Sequence, residues 1–183
     1  MAHLWHDVII GPESPNIFNA VIEIPRYDKN KYELDKVTGT IRCDRVLDSS
    51  VIYPENYGFI PQTYAMDNDP LDVLVLGRFP IHPGTHLRAR AIGVVKMKDG
   101  GVRDDKIIAV HVDDPSVAEY EDAHALKDYR IQEIQRFLDD YKKYEKKKVE
   151  VGDFGTAAEA KLIIQQSFDE YQKRVQNGKI IRP

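Results

Sequence analysis

An acidic loop runs directly into an aliphatic segment at Ala65-Met66-Asp67-Asn68-Asp69-Pro70-Leu71-Asp72-Val73-Leu74-Val75-Leu76. The run from Val73 to Leu76 is β-branched and aliphatic, which predicts a buried strand. Pro70 has no amide proton and cannot donate a ladder hydrogen bond, so it belongs at the entrance of that strand. The sequence therefore predicts a short acidic loop that feeds a rigid strand, and the rest of the chain is organised around this unit.

The loop places the carboxylates of Asp67, Asp69 and Asp72 within six residues. Carboxylates this close repel one another unless cations neutralise them. Hard oxygen ligands at this density suit Mg²⁺, Mn²⁺ or Ca²⁺, whereas the alternative is a solvated acidic turn. A calcium loop of the EF-hand type is excluded, because its required Gly and Glu positions, counted from Asp67, hold Asp72 and Arg78.

Length and composition indicate an ordinary globular protein. A chain of 183 residues is long enough for a real core and predicts one domain over residues 1–183. Hydrophobic residues make up 42% of it and charged residues 31%, which is typical of globular chains. The net charge of −4 weighs against a general nucleic-acid binder.

The cysteine count and the hydropathy pattern indicate the cellular compartment of the protein. Cys43 is the only cysteine, so no internal disulfide can form and a reducing compartment is expected. Its strand-like surroundings favour a small core residue over a nucleophile. No run of 18 apolar residues exists, and residues 1–7 lack a signal-peptide pattern. We therefore expect a cytoplasmic protein without a membrane partner.

The first two thirds of the chain read mainly as strands. Alternation or aliphatic character predicts strands over residues 18–24, 32–34, 40–46, 73–76, 86–97 and 106–112. The second and third form a hairpin around the turn 35–39, and a second acidic loop covers 98–105. Residues 53–61, rich in aromatics, Gly and Pro, are interpreted as a rigid packed loop in which Tyr57 presents its hydroxyl to a ligand or makes a structural hydrogen bond.

The last third reads as helical. Apolar residues at Ile131, Ile134, Leu138 and Tyr141 predict an amphipathic helix over residues 128–145. Lysines at its end are interpreted as solvated; they are Lys142, Lys143, Lys146, Lys147 and Lys148. Thr156 and Glu159 fit a capping box that begins a second helix, which ends near Gly178.

Strands followed by helices indicate an α+β, mainly β fold, with a small closed barrel and two C-terminal helices packed on it. Barrel closure is expected to bring the acidic loops at 67–72 and 99–104 together. Their carboxylates would then hold divalent cations, and Lys31, Arg45 and Lys106 would supply positive charge beside them. Carboxylate-held metals next to cationic side chains are the apparatus of phosphoryl transfer.

Other function classes find little support. The chain lacks the Gly-x-x-x-x-Gly-Lys-[Ser/Thr] and Gly-x-Gly-x-x-Gly loops and a serine nucleophile elbow. A hydrolase of nucleoside phosphates would need an aromatic base slot beside the metals. A barrel that binds single-stranded nucleic acid would need exposed basic and aromatic residues on one face.

The sequence resembles family I soluble inorganic pyrophosphatases of the short prokaryotic and plant-type branch. Asp67-Asn68-Asp69-Pro70-Leu71-Asp72-Val73 matches the signature of that family. Further matches in the family's order are Glu23-Ile24-Pro25, Lys31-Tyr32-Glu33-Leu34-Asp35-Lys36, Asp44-Arg45-Val46, Tyr53-Pro54, Asn56-Tyr57-Gly58, Asp99, Asp104 with Lys106, and Tyr141-Lys142. The similarity covers roughly residues 5–175.

The resemblance implies Mg²⁺-dependent hydrolysis of inorganic diphosphate, with Mn²⁺ or another divalent cation as a substitute. It assigns metal binding to Asp67, Asp72, Asp99, Asp104 and Glu33, and the general base, which helps to generate the attacking hydroxide, to Asp69. It assigns phosphate contacts to Lys31, Arg45, Tyr57, Lys106, Tyr141 and Lys142, and a supporting position behind the metals to Glu23. The family fold is a five-stranded barrel similar to an OB-fold, and short members usually form homohexamers.

One position departs from the family pattern. Gly100 follows Asp99, where many bacterial members carry a second acidic residue. The loop keeps its spacing, so the departure bears on the affinity for the third and fourth metals.

Overall fold

The computed structural model describes residues 2–143 and 148–179. Nine strands and two α-helices follow one another within these described residues. They are β1 (Ile17–Ile24), β2 (Asn30–Leu34), β3 (Ile41–Val46), β4 (Asn56–Phe59), β5 (Asp72–Leu76), β6 (His86–Asp99), β7 (Val102–Arg103), β8 (Lys106–His111), α1 (Asp128–Asp140), β9 (Val149–Thr156) and α2 (Ala157–Gln176).

Five of the strands close into a barrel. The order β1–β4–β5–β8–β6 returns to its start because β6 also pairs with β1. Neighbours are antiparallel except β5 and β8, which run parallel with Val73 beside Ile107. Strands β7 and β9 extend the sheet from β6. The predicted α+β fold with a five-stranded, OB-like barrel is therefore confirmed.

Strand β5 is buried on both faces, as its aliphatic run predicts. Val73 and Val75 pack into an apolar cluster with Ala160 and Ile164 of α2. Leu74 and Leu76 pack into a second cluster that contains Ile134, Phe137 and Leu138 of α1. The two helices thus cover different apolar clusters of one barrel, and strand β5 contributes side chains to both clusters.

The interpretation of residues 53–61 as a loop is wrong for its centre, because β4 is a barrel strand. Its residues are all buried, and Gly58 pairs with Ile22 of β1 and with Val73 of β5. A Cβ atom on Gly58 would lie 1.9 Å from the carbonyl oxygen of Val21. Gly58 thus weakens the prediction of a strand from the sequence. In the structure, its lack of a side chain is what lets β1 approach β4 closely.

The residue pattern does not predict strand β9 either. The expected order, with the strands first and the helices last, is therefore only partly right. It lies between the two helices and pairs with β6 over Val149 to Thr156. Glycines at 152 and 155 interrupt the alternation that would predict a strand. The predicted capping box is confirmed, since Thr156 and Glu159 cap α2 reciprocally. Helix α1 ends at Asp140, and the predicted positions 144–147, with Lys146 and Lys147, lie outside the described residues.

The predicted hairpin is confirmed as β2 and β3, which form a separate two-stranded sheet. Most of β3 is exposed, including Cys43, so its expected position in the core is wrong. The reason is that β3 pairs only with β2 and stands off the barrel. Arg42 of β3 forms an ion pair with Glu33, and the partly buried Arg45 forms one with Asp44.

Candidate active site

The parallel pairing of β5 and β8 brings the two acidic loops together. Asp72 begins β5 and Lys106 begins β8, so the starts of these neighbouring strands lie side by side. The loop before β5 carries Asp67 and Asp69, and the residues before β8 include Asp104. Both loops border one cavity of about 540 Å³. The expected convergence of the acidic loops is therefore found in the structure.

This cavity also receives side chains from β1, β2, β4, the end of β6 and the end of α1. The predicted site residues that line it are Glu23, Lys31, Glu33, Tyr57, Asp67, Asp69, Asp72, Asp99, Asp104, Lys106, Tyr141 and Lys142. Arg45 is the exception among the predicted residues. It lies beside the cavity, where it pairs with Asp44, and Asp44 in turn pairs with Lys31 at 3.5 Å.

Lys106 lies at the centre of the charge cluster and is 1% exposed. Its ammonium group donates to the carboxylates of both Asp72 and Asp104. Burial alone would lower the pKa of a lysine, but the charges of Asp72, Tyr141 and Asp104 hold the pKa of Lys106 well above its usual value. Lys106 therefore remains a cation in the middle of the site.

The same pairing of cations with carboxylates recurs around the wall. Lys142, just beyond the end of α1, donates to Asp99 at 2.7 Å and lies 3.8 Å from Asp104. Lys31 of β2 lies 3.2 Å from Glu33. The cavity wall thus carries carboxylates and lysines in alternation, which suits an anion accompanied by metal cations.

Glu23 lies at a bulge of β1, where the register with β4 shifts between Ile22 and Ile24. Its carboxylate accepts a hydrogen bond from the backbone amide of Leu34 at 2.7 Å, which ties β1 to β2. Burial, followed by the charge of Asp72, raises the pKa of Glu23 to about 8. Glu23 thus joins β1 to β2 at the cavity wall.

The raised pKa values of Asp67 and Asp72 show that it costs free energy to hold the carboxylates of the cavity close together. Burial and then the charges of Asp72, Asp104 and Asp69 raise the pKa of Asp67 to about 6. The pKa of Asp72 is raised mainly by burial, against the opposing effects of Lys106 and of a hydrogen bond from the Tyr57 hydroxyl. These acids are held close together at a cost that additional positive charge would relieve.

Comparison with known proteins decides the family. A family model described as inorganic pyrophosphatase matches residues 20–172. The chain belongs to the inorganic pyrophosphatase family. Soluble inorganic pyrophosphatase 3 of Arabidopsis thaliana is 56% identical over 174 residues, which cover 95% of this chain and 81% of that protein. The soluble inorganic pyrophosphatase of Zea mays is 55% identical over the same shares.

Solved structures agree with this membership. The crystal structure of inorganic pyrophosphatase from Thermus thermophilus superimposes with a TM-score of 0.89 at 36% identity, covering 93% of this chain and 99% of that one. The structure from Coxiella burnetii gives a TM-score of 0.84 at 36% identity, covering 90% and 99%. The predictions of a family I pyrophosphatase and of a hydrolase are confirmed.

Two further side chains of this pyrophosphatase line the cavity and were given no role from the sequence. Tyr53 is 1% exposed and packs edge-on against Tyr57, with ring centroids 5.5 Å apart. Lys36 follows β2 and forms an ion pair with Asp69. Both occur within matched family segments, Tyr53-Pro54 and 31–36, so family similarity was the only available signal; spacing alone does not distinguish them from surface residues.

The residues fit a hard divalent cation by their donor chemistry. The carboxylates of Asp67, Asp72, Asp99 and Asp104 supply only oxygen atoms, which Mg²⁺ prefers. Over residues 2–143 and 148–179 no three acidic, histidine or cysteine side chains are arranged to hold a metal as they stand. The ammonium group of Lys106 contacts both Asp72 and Asp104 and supplies positive charge there.

The helices of this pyrophosphatase are amphipathic rather than apolar throughout. In the part of the chain that the structure describes, none is both long and apolar enough to cross a membrane.

Proposed function

We propose that this pyrophosphatase hydrolyses inorganic diphosphate to two orthophosphates with Mg²⁺ as the activating metal, and that Mn²⁺ or another divalent cation can substitute. The observation that carries the proposal is the alternation of carboxylates with lysines around one cavity. Diphosphate with its metals is small, rigid and highly charged, so a polar cage of this size can enclose it. Neither phosphate requires a base or sugar pocket.

Asp67, Asp72 and Asp104 would hold the activating metals. Asp99, with Glu33 near it, would hold a metal that enters with the substrate. When bound, a divalent cation polarises phosphate oxygens and lowers the pKa of water toward neutrality. Glu23 would hold β1 against β2 beside this group through its hydrogen bond to Leu34.

Asp69 would act as the general base. Its side chain is 42% exposed and borders the cavity, so it can accept a proton from the water that attacks phosphorus. The backbone amide of Asp69 donates to Asp67 at 3.2 Å, which fixes the two acids relative to each other. A carboxylate kept off the metals is free to take a proton.

The cationic and phenolic side chains would stabilise the leaving phosphate. Lys106 and Lys142 donate to carboxylates in the structure and would turn to phosphate oxygens when metals neutralise those acids. Tyr57 and Tyr141 line the same cavity. Lys31 lines the cavity from β2. Arg45 pairs with Asp44, and Asp44 pairs in turn with Lys31.

We further infer a single domain over residues 1–183, a homohexamer and a cytoplasmic location. These follow from chain length, family resemblance and the lone Cys43, and they stay predictions.

Replacing Asp72 by Asn tests the metal cage. Because Asp72 is proposed to hold the activating metals, we expect Asp72→Asn to lower the affinity for Mg²⁺ by about 10-fold or more. Titration calorimetry with Mg²⁺ measures the affinity, and phosphate release at increasing Mg²⁺ measures the requirement in turnover. Asp153→Asn, an exposed residue of β9, serves as the control. An unchanged Mg²⁺ affinity in Asp72→Asn would remove Asp72 from the metal site.

A further inference from the structure

The side chain of Lys36 joins the turn after β2 to the acidic loop. Its ammonium group forms an ion pair with the carboxylate of Asp69 and lies 3.3 Å from the carbonyl oxygen of Asn68. The hairpin β2–β3 stands off the barrel, so this contact joins two parts of the cavity wall that belong to different sheets.

The backbone of Lys36 is fixed from behind by the N-terminal segment. The ring of His3, which is buried, donates from Nε2 to the carbonyl oxygen of Lys36 at 3.1 Å. The amide of Leu4 donates to the carbonyl oxygen of Gly39 at 3.0 Å. A Cβ atom on Gly39 would lie 2.4 Å from the His3 ring, so His3 sits directly against the turn. These contacts therefore hold in place the backbone that carries the Lys36 side chain.

The acidic loop has its own internal hydrogen bonds. Asn68 has a positive φ of 69°, and its side chain accepts from the Tyr64 hydroxyl at 2.9 Å. The amide of Ala65 donates to the carbonyl oxygen of Asp69 at 2.8 Å. These bonds shape the backbone, whereas Lys36 contacts the Asp69 carboxylate itself. The direction of that carboxylate thus depends on Lys36.

Lys36 differs from the other lysines of the site in the acid it contacts. Lys106 and Lys142 pair with Asp72, Asp104 and Asp99, the carboxylates assigned to metals. These carboxylates would lose their lysine partners if they held metals. Asp69 is proposed to stay off the metals, so its pair with Lys36 can persist during the reaction.

We propose that Lys36 is a positioning residue: it holds the Asp69 carboxylate toward the cavity and latches the β2–β3 turn onto the acidic loop. The inference rests on the proposed role of Asp69 as general base. The side chains of Lys36 and Asp69 are 48% and 42% exposed, and pairs this exposed contribute little to stability. A small misplacement of a reacting group can nevertheless cost up to about 100-fold in rate.

The test compares Lys36→Ala and Lys36→Arg with a matched surface pair. Lys96 pairs with Glu159 at 2.7 Å, and the side chains are 55% and 44% exposed, so Lys96→Ala removes an equally exposed lysine outside the site. For each variant we would measure kcat and KM for diphosphate with Mg²⁺, and the hydrogen exchange of amides 65–69 by mass spectrometry. The exchange readout does not depend on turnover.

We expect Lys36→Ala to lower kcat by about 10- to 100-fold with KM changed less than about threefold. Amides 65–69 should exchange faster, Lys36→Arg should restore most of kcat, and Lys96→Ala should behave as wild type.

Wild-type turnover in Lys36→Ala would overturn the inference. A raised KM at unchanged kcat would do so too, because Lys36 would then bind substrate directly. A lower kcat with unchanged hydrogen exchange of amides 65–69 would also contradict the proposal that Lys36 fixes the β2–β3 turn to the acidic loop. Absence of turnover in the wild-type protein would instead overturn the proposed function, and exchange would still report on the latch.

Discussion

Asp69→Asn is expected to lower kcat for diphosphate by about 10²- to 10⁴-fold, the range that general bases contribute. The amide has the size of the carboxylate but cannot accept a proton at neutral pH. Mg²⁺ affinity should change little, because Asp69 is proposed to lie off the metals. Steady-state phosphate release gives kcat, and calorimetry gives the Mg²⁺ affinity of the same preparation.

Asp139→Asn is the control, since Asp139 is exposed on α1 away from the cavity. It should match the wild-type protein in both measurements. Turnover of Asp69→Asn at the wild-type rate would remove Asp69 as the base. A loss of Mg²⁺ binding that accounts for the loss of rate would reassign Asp69 to the metals.

Gly58→Ala is expected to lower the free energy of unfolding by more than about 4 kcal/mol, in the range of the most damaging single substitutions. The added Cβ would lie 1.9 Å from the carbonyl oxygen of Val21, and the obstacle is backbone. Strand β1 must therefore move away from β4, which opens the barrel at Ile22 and Gly58. Urea denaturation followed by circular dichroism measures the loss, and failure to fold would be its extreme form.

Gly77→Ala provides a matched control. A Cβ atom there would have ordinary contacts, the nearest at 3.6 Å from the Asn56 side chain. It should change the free energy of unfolding by less than about 1 kcal/mol. If Gly58→Ala were as stable as Gly77→Ala, the β1–β4 pairing in the structure would be incorrect.

The sequence predicts the fold best where local pattern and tertiary environment agree. The aliphatic run of β5, buried on both faces, and the Thr156–Glu159 capping box of α2 are both read directly from residue types. Strand β4 cannot be found this way, because its Gly58 serves the close approach of β1, which involves residues more than thirty positions earlier in the chain. Strand β9 is hidden by Gly152 and Gly155 for a similar reason.

For the site, residue types and loop spacing identify the acids but do not show their partners. The convergence of the loops near Asp72 and Asp104 could be inferred from barrel closure, whereas the lysine that lies between them is fixed by the parallel register of β5 and β8. Arg45 was expected in the cavity, but its strand belongs to the separate hairpin. Lys36 is recognisable only after the β2–β3 turn and the acidic loop are seen together.

The most direct measurement is phosphate release from inorganic diphosphate by the wild-type protein, with Mg²⁺, with chelator, and with ATP as a parallel substrate. We expect fast release that requires Mg²⁺ and leaves ATP intact, because the carboxylates and lysines that line the cavity suit a small, highly charged anion. Release from ATP at a comparable rate would contradict the diphosphate specificity, and release that persists in chelator would contradict the metal cage. No release from a folded protein that binds Mg²⁺ would mean that the scaffold is kept without the activity.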